Sequence, residues 1–106
     1  MPSPIRGTSF GSNFAATGRI RTELYIDDGN AEDNKRLFNE LKEQRIEIEQ
    51  GFGEQLSWEE LPHRRASRIA AYSEGDVTLR DEWEKYIDWF FDTGGRIRRA
   101  LAITRP

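Results

Sequence analysis

Arg19-Ile20-Arg21-Thr22-Glu23-Leu24-Tyr25-Ile26 alternates without a break: Ile20, Thr22, Leu24 and Ile26 share one face, and Arg19, Arg21, Glu23 and Tyr25 the other. A period of two with one apolar face describes a strand half-buried in a sheet. Upstream, Thr8–Thr17 alternates more loosely, with Phe10, Ser12, Phe14 and Ala16 on one side. Thr17-Gly18 is placed to turn the chain between them, so the two runs are expected to form a β-hairpin. Downstream, Asp27-Asp28-Gly29-Asn30 is turn chemistry, and Asn30 can cap a helix with Asp33 three residues on.

From Ala31 to Gln50 the period becomes helical. Leu37, Phe38, Leu41 and Ile48 form a stripe that also takes in Asn34 and Gln44. Glu40, Glu43 and Glu47 lie outside it and Ile46 is a misfit, while Gly51 and Gly53 are expected to stop the helix. Leu56–Leu61 is too short to classify, and Pro62 ends it. Ala66–Ser73 alternates again, which predicts the third strand of a three-stranded sheet, followed by a turn at Glu74-Gly75-Asp76. Thr78 with Asp81 has the spacing of a cap and its acid at N3. The run beyond sets Leu79, Trp83, Tyr86, Ile87, Phe90 and Phe91 on one stripe, and Ile97 and Leu101 remain in phase past Gly94-Gly95. Either one long helix packs closely at Gly94 or two helices meet there. The expected order is β-β-α-β-α, a small α+β fold whose antiparallel sheet carries two helices on one face.

The 106 residues suit a single domain, with residues 1–6 expected to be a flexible N-terminus. Hydrophobic residues are 36% and charged residues 33%, yet an aromatic share of 11% supplies a core that disordered chains lack. The absence of cysteine removes disulfides, zinc–thiolate sites and thiol nucleophiles, and it suits a reducing cytoplasm, the expected location. No apolar run is long enough to span a membrane. The net charge of −3 conceals segregation. Residues 22–61 hold twelve acids against four bases, whereas residues 96–106 hold four bases and no acid.

Few catalytic devices survive this composition. His63 is the only histidine and follows Pro62 in a polar stretch, which reads as a solvated loop residue. Glu23, Asp27, Asp28, Glu32 and Asp33 cluster around a strand end and a helix start, but the loop does not have the alternating ligands of an EF-hand. A nuclease of the PD-(D/E)XK type needs a lysine two positions after an acid on a strand. Lys35 after Asp33 and Lys42 after Glu40 have that spacing, but both fall in the expected helix. No glycine loop suits a phosphate, and no catalytic residue, metal or cofactor is assigned. The arginines form three groups: Arg19 and Arg21; Arg64, Arg65 and Arg68; and Arg96, Arg98 and Arg99. Convergence would make a phosphate-binding patch, whereas pairing with the many acids and the helix dipole would make them structural. Trp89 falls about 120° from the centre of the last stripe, at its margin.

Several motifs resemble one family. Glu23-Leu24-Tyr25-Ile26-Asp27, Asn34-Lys35-Arg36-Leu37-Phe38 and Ile48-Glu49 are followed by Gly53-Glu54-Gln55-Leu56-Ser57-Trp58-Glu59 and Arg65-Ala66-Ser67-Arg68-Ile69. Over roughly residues 18–92 they resemble the prokaryotic domain of unknown function 4268, whose members often lie C-terminal to a PD-(D/E)XK nuclease-like region. That region is outside this chain, and its activity is not carried over. The resemblance implies a setting in nucleic-acid processing or defence, and it draws attention to Asn34, Lys35, Trp58, Glu59, Arg65 and Arg68. The leading expectation is a non-enzymatic binding module contacting DNA or RNA through Arg19, Arg21, Arg64, Arg65 and Arg68. The alternatives are an acidic module that binds a basic protein, and a metal-dependent nuclease using Glu23, Asp27 and Glu59.

Overall fold

The structure, a computed structural model, describes residues 3–16 and 18–102. Four strands, β1 (Thr8–Ala15), β2 (Arg19–Ile26), β3 (Ser57–Glu59) and β4 (Ser67–Glu74), form one antiparallel sheet in the order β1-β2-β4-β3. Three helices, α1 (Ala31–Glu43), α2 (Arg45–Phe52) and α3 (Trp83–Ala102), complete an α+β fold. The chain order is therefore β-β-α-α-β-β-α rather than β-β-α-β-α. The difference lies in two places.

The unclassified Leu56–Leu61 stretch holds β3, whose three residues pair with Arg68, Ile69 and Ala70. This makes the sheet four-stranded rather than three-stranded; so short an edge strand carries too few residues to show a period. The helix expected over 31–50 breaks at Gln44, which turns with φ −95° and ψ 15° and sends its N–H to the carbonyls of Leu41 and Lys42. The break redirects α2, so that Ile48 and Phe52 reach the core while Ile46 faces solvent. Gly51 does not stop the helix. It lies in α2 against α3, where a Cβ would come 3.5 Å from Ala100 Cα. Gly53, in the left-handed region at φ 99°, makes the cap.

The hairpin pairs Ala15 with Arg19 and Phe10 with Leu24. Of its expected turn, Gly18 has φ +70° and Thr17 lies outside the described residues. The even-numbered face of β2 meets the helices. Phe10, Leu24, Ile26 and Ile69 from the sheet are buried with Phe38 and Leu41 of α1, Ile48 and Phe52 of α2, and Ile97 and Leu101 of α3. Each such side chain contributes roughly 1.5–3 kcal/mol by leaving water. Of the N-terminal segment, residues 1 and 2 lie outside the described region, and Ile5 packs into this core.

The start of the last helix also differs from expectation. Thr78 is not its cap, because its hydroxyl donates to Asp76 Oδ1 at 2.7 Å, in a turn that leads into a 3-10 turn at Arg80–Glu82. From Trp83 onward one continuous helix passes through Gly94-Gly95, which settles the choice between one helix and two. The stripe is not uniformly covered, however. Thr93, Ile97, Ala100 and Leu101 are buried, whereas Leu79, Trp83, Ile87 and Phe91 are exposed, Phe91 to 80%. No described helix is long and apolar enough to cross a membrane.

Candidate functional site

The helices occupy one face of the sheet, and the strand period delivers the charged residues of three strands to the other. Register decides who meets whom. Arg21 stands opposite Tyr72, Tyr25 opposite Arg68, and Glu59 opposite Arg68 from the other side. Asn13 of β1 pairs with Arg21. The outer face therefore interleaves guanidinium groups, tyrosine rings and carboxylates.

Their geometry is a connected network. Glu23 Oε1 lies 3.4 Å from Arg21 Nε and 3.5 Å from Arg68 Nε, and Arg68 reaches Glu59 at 3.6 Å. Glu59 Oε2 accepts from Tyr72 Oη at 2.6 Å and from Ser57 Oγ at 2.9 Å. The Arg19 guanidinium lies 4.0 Å above the Tyr72 ring, and Asn13 Nδ2 donates to Glu23 Oε2 at 3.3 Å. The arginine–glutamate contacts are at ion-pair rather than hydrogen-bond distance. Asn13 Oδ1, Arg21 Nε, Glu23 Oε1 and Arg68 Nε are all buried without a hydrogen-bond partner. Three of these atoms are ion-paired with one another through Glu23 Oε1, so the network closes largely on itself and Asn13 Oδ1 alone among the four has neither kind of contact.

The remaining expected site residues lie elsewhere and are occupied internally. Asn34, buried in α1, accepts from the Asp28 N–H at 2.9 Å and donates to Asp27 Oδ1 at 3.1 Å and to the Arg65 carbonyl at 3.2 Å. Arg65 grips Asp27 through Nε and Nη2 at 2.9–3.1 Å. This guanidinium, followed by the Gly29 N–H, holds the Asp27 carboxyl below its ordinary value of 3.8. Lys35 Nζ donates to the carbonyls of Glu60, Leu61 and Ala66 and to Ser67 Oγ, fastening the loop before β4. Trp58 is on the helix side, edge-on to Phe38, with its indole N–H on Glu49 at 3.1 Å. Arg64 lies exposed in the loop.

The three arginine groups thus meet only in part. Arg19, Arg21 and Arg68 share the outer face, whereas Arg65 belongs to Asp27, and Arg96 to the Phe52 carbonyl and Glu54. Arg98 rests over the Phe10 ring at 5.3 Å. The acids expected of a nuclease are also parted: Asp27 pairs with Arg65, while Glu23 and Glu59 flank Arg68. Among the described residues no three His, Cys, Asp or Glu side chains are grouped closely enough to hold a metal ion. Sequence reasoning missed Asn13 and Tyr72. Period placed Tyr72 on a face, but only the register with β2 puts it beside Arg21.

The profile of a family described as a domain of unknown function (DUF4268) matches residues 2–103. No curated protein and no solved structure matches the chain.

Proposed function

This chain belongs to the DUF4268 family, and on that premise we propose that it is a non-enzymatic binding module of a cytoplasmic nucleic-acid-processing or defence system. Its contact surface is the outer face of the sheet, and its ligand is single-stranded nucleic acid. The observation that supports this reading is the outer sheet face, opposite the helices, on which Arg19, Arg21 and Arg68 alternate with Tyr25 and Tyr72 around the ion-paired Glu23. Guanidinium groups suit phosphates, and tyrosine rings stack with bases. Glu23 and Glu59 offset much of the positive charge, so stacking rather than charge carries most of the affinity. Arg21 exchanges Glu23 for phosphate by rotating its outer torsions.

Binding of fluorescent DNA and RNA strands across a salt series tests this. With at most three phosphates neutralised, the log–log salt slope is expected no steeper than about −2. Tyr72→Ala removes a stack worth about 1–3 kcal/mol. A folded protein that binds neither strand at low salt ends the reading. A second reading, an acidic module for a basic protein, is supported by the exposure of Glu32, Glu40, Glu43 and Glu47 along α1 and α2. Salt-sensitive capture of a basic partner, lost when those four glutamates are neutralised, distinguishes it.

A further inference from the structure

The first half of α3 presents an apolar row that the described residues leave largely open. Trp83, Ile87 and Phe91 follow one another at four-residue spacing and are 39%, 49% and 80% exposed. Val77 and Leu79 are exposed just before them, and Phe14, itself 41% exposed, packs edge-on to Tyr86 and Phe90 at 6.0 and 6.2 Å. With aromatic side chains carrying roughly 150–250 Å² each, the exposed parts of Phe14, Trp83 and Phe91 alone approach the largest apolar patch of an ordinary monomer. Beside the row runs a groove of about 620 Å³ between α3 and the β1 edge, lined by Phe10, Ile87, Phe90, Phe91, Gly94 and Gly95. One surface therefore holds a protruding ring and an apolar recess.

Charge says what fits there. Along α3 and the turn before it, Asp81, Glu82, Glu84, Asp88 and Asp92 against Arg80 and Lys85 make the first half acidic, while Arg96, Arg98 and Arg99 make the second half basic. This distribution suits the helix's own dipole. It is also complementary to itself in the antiparallel sense. Centring a two-fold axis on Phe91 sets each residue n positions before it against the residue n positions after it in the partner. Ile87 then faces Gly95, beside which the Arg99 guanidinium lies 3.2 Å from where a Cβ would stand, and Glu84 faces Arg98, which rests on Phe10. Trp83 faces Arg99, an indole against a guanidinium. Each Phe91 ring enters the other copy's groove. Because the same patch serves both partners, the contact closes as a dimer and does not propagate.

We infer that this face of α3 is a homodimer interface, in which two copies pair antiparallel about Phe91. The interface does not involve the outer face of the sheet, so it stands independently of nucleic-acid binding. The test is sedimentation equilibrium of the full chain from about 10 to 500 μM, a range suited to an interface of modest area. A reversible monomer–dimer equilibrium is expected. Phe91→Asp should weaken it at least thirtyfold, with the circular dichroism spectrum unchanged and the thermal midpoint unchanged at concentrations where both proteins are monomeric, because the ring is solvent-exposed in the monomer. Glu84→Arg alone should weaken the dimer and Glu84→Arg with Arg98→Glu should restore it. That rescue excludes a merely unfolded variant. A wild-type chain that stays monomeric throughout, or a dimer indifferent to Phe91→Asp, overturns the inference. So does a monomeric wild type that loses a different protein partner on Phe91→Asp, since the occupant is then not a second copy. Phe91→Asp should still bind short single strands, and Tyr72→Ala should still dimerise, so failure of either proposal is read separately.

Discussion

Asn34 sits one turn before Phe38 in a buried stripe, where an amide must find partners or destabilise the fold. It finds three, and all of them fix the chain around Asp27, Asp28 and Arg65. Its oddness is legible in the sequence as a polar residue in an apolar arc; of the two segments that could supply partners, Trp58-Glu59 and Arg65–Arg68, only the second does, through the Arg65 carbonyl. What the sequence hides is that Lys35, beside it, spends its ammonium on backbone carbonyls of the loop before β4. No local pattern marks a lysine whose acceptors lie about thirty residues away. Asp27 is the titratable member of the network, and its folded carboxyl is held below 3.8 chiefly by Arg65. A depressed carboxyl contributes stability that is present above its unfolded value and is lost as pH falls through the folded one. Unfolding free energy should therefore decline below about pH 4, and Arg65→Gln should remove part of that decline. Carbon-detected NMR titration checks the premise; an Asp27 midpoint at or above 3.8 contradicts it. Asn34→Ala should cost about 2–4 kcal/mol in chemical denaturation, since it strands the Asp28 N–H and the Arg65 carbonyl.

At the scale of elements, periodicity identifies β1, β2, β4 and α3 because each is long enough to show several repeats. It fails at β3, with three residues, and at Gln44, where a break changes the direction of a helix without changing its composition. Periodicity also reports that a face is apolar without reporting whether anything covers it. α3 is anchored by Thr93, Ile97, Ala100 and Leu101, and by Arg96 on the Phe52 carbonyl, all in its second half. Two glycines separate a steric need from a tolerated one. A Cβ on Gly75 would fall 2.5 Å from Cγ2 of the buried, stiffly branched Ile20, whereas on Gly94 it would rest 3.7 Å from Thr22 Cγ2, an ordinary contact. Gly75→Ala should therefore destabilise by about 1–3 kcal/mol. Gly94→Ala should stabilise by about 0.5–1 kcal/mol, because a mid-helix glycine loses more backbone freedom on folding. Urea denaturation of both variants decides; a destabilising Gly94→Ala shows that close packing at Gly94 matters after all, and a stabilising Gly75→Ala contradicts the clash with Ile20.

The two uncovered surfaces lie on different layers of the molecule, one on the outer face of the sheet and one on the free side of α3. Period alone assigns Arg19 and Arg21 to an outer face, but Arg68, Tyr72 and Glu59 join them only through strand order, which a single sequence leaves open. Pairing through α3 leaves both sheets of a dimer uncovered, so a dimer offers two nucleic-acid sites and a monomer one. Two sites on one strand turn the second contact into an intramolecular event, raising affinity by about 10²- to 10⁴-fold when the strand can span them. Strand length then becomes the diagnostic. On an oligonucleotide of about 10 nucleotides, near the footprint of one small domain, wild type and Phe91→Asp should bind equally. On one of about 60 nucleotides, Phe91→Asp should lose most of the wild-type advantage, and Tyr72→Ala should weaken binding at both lengths. Equal loss on short and long strands would mean that Phe91 touches the nucleic acid itself. No loss on the long strand would mean that the two sheets never engage one molecule, which is the result that separates a binding dimer from two binders joined at the back.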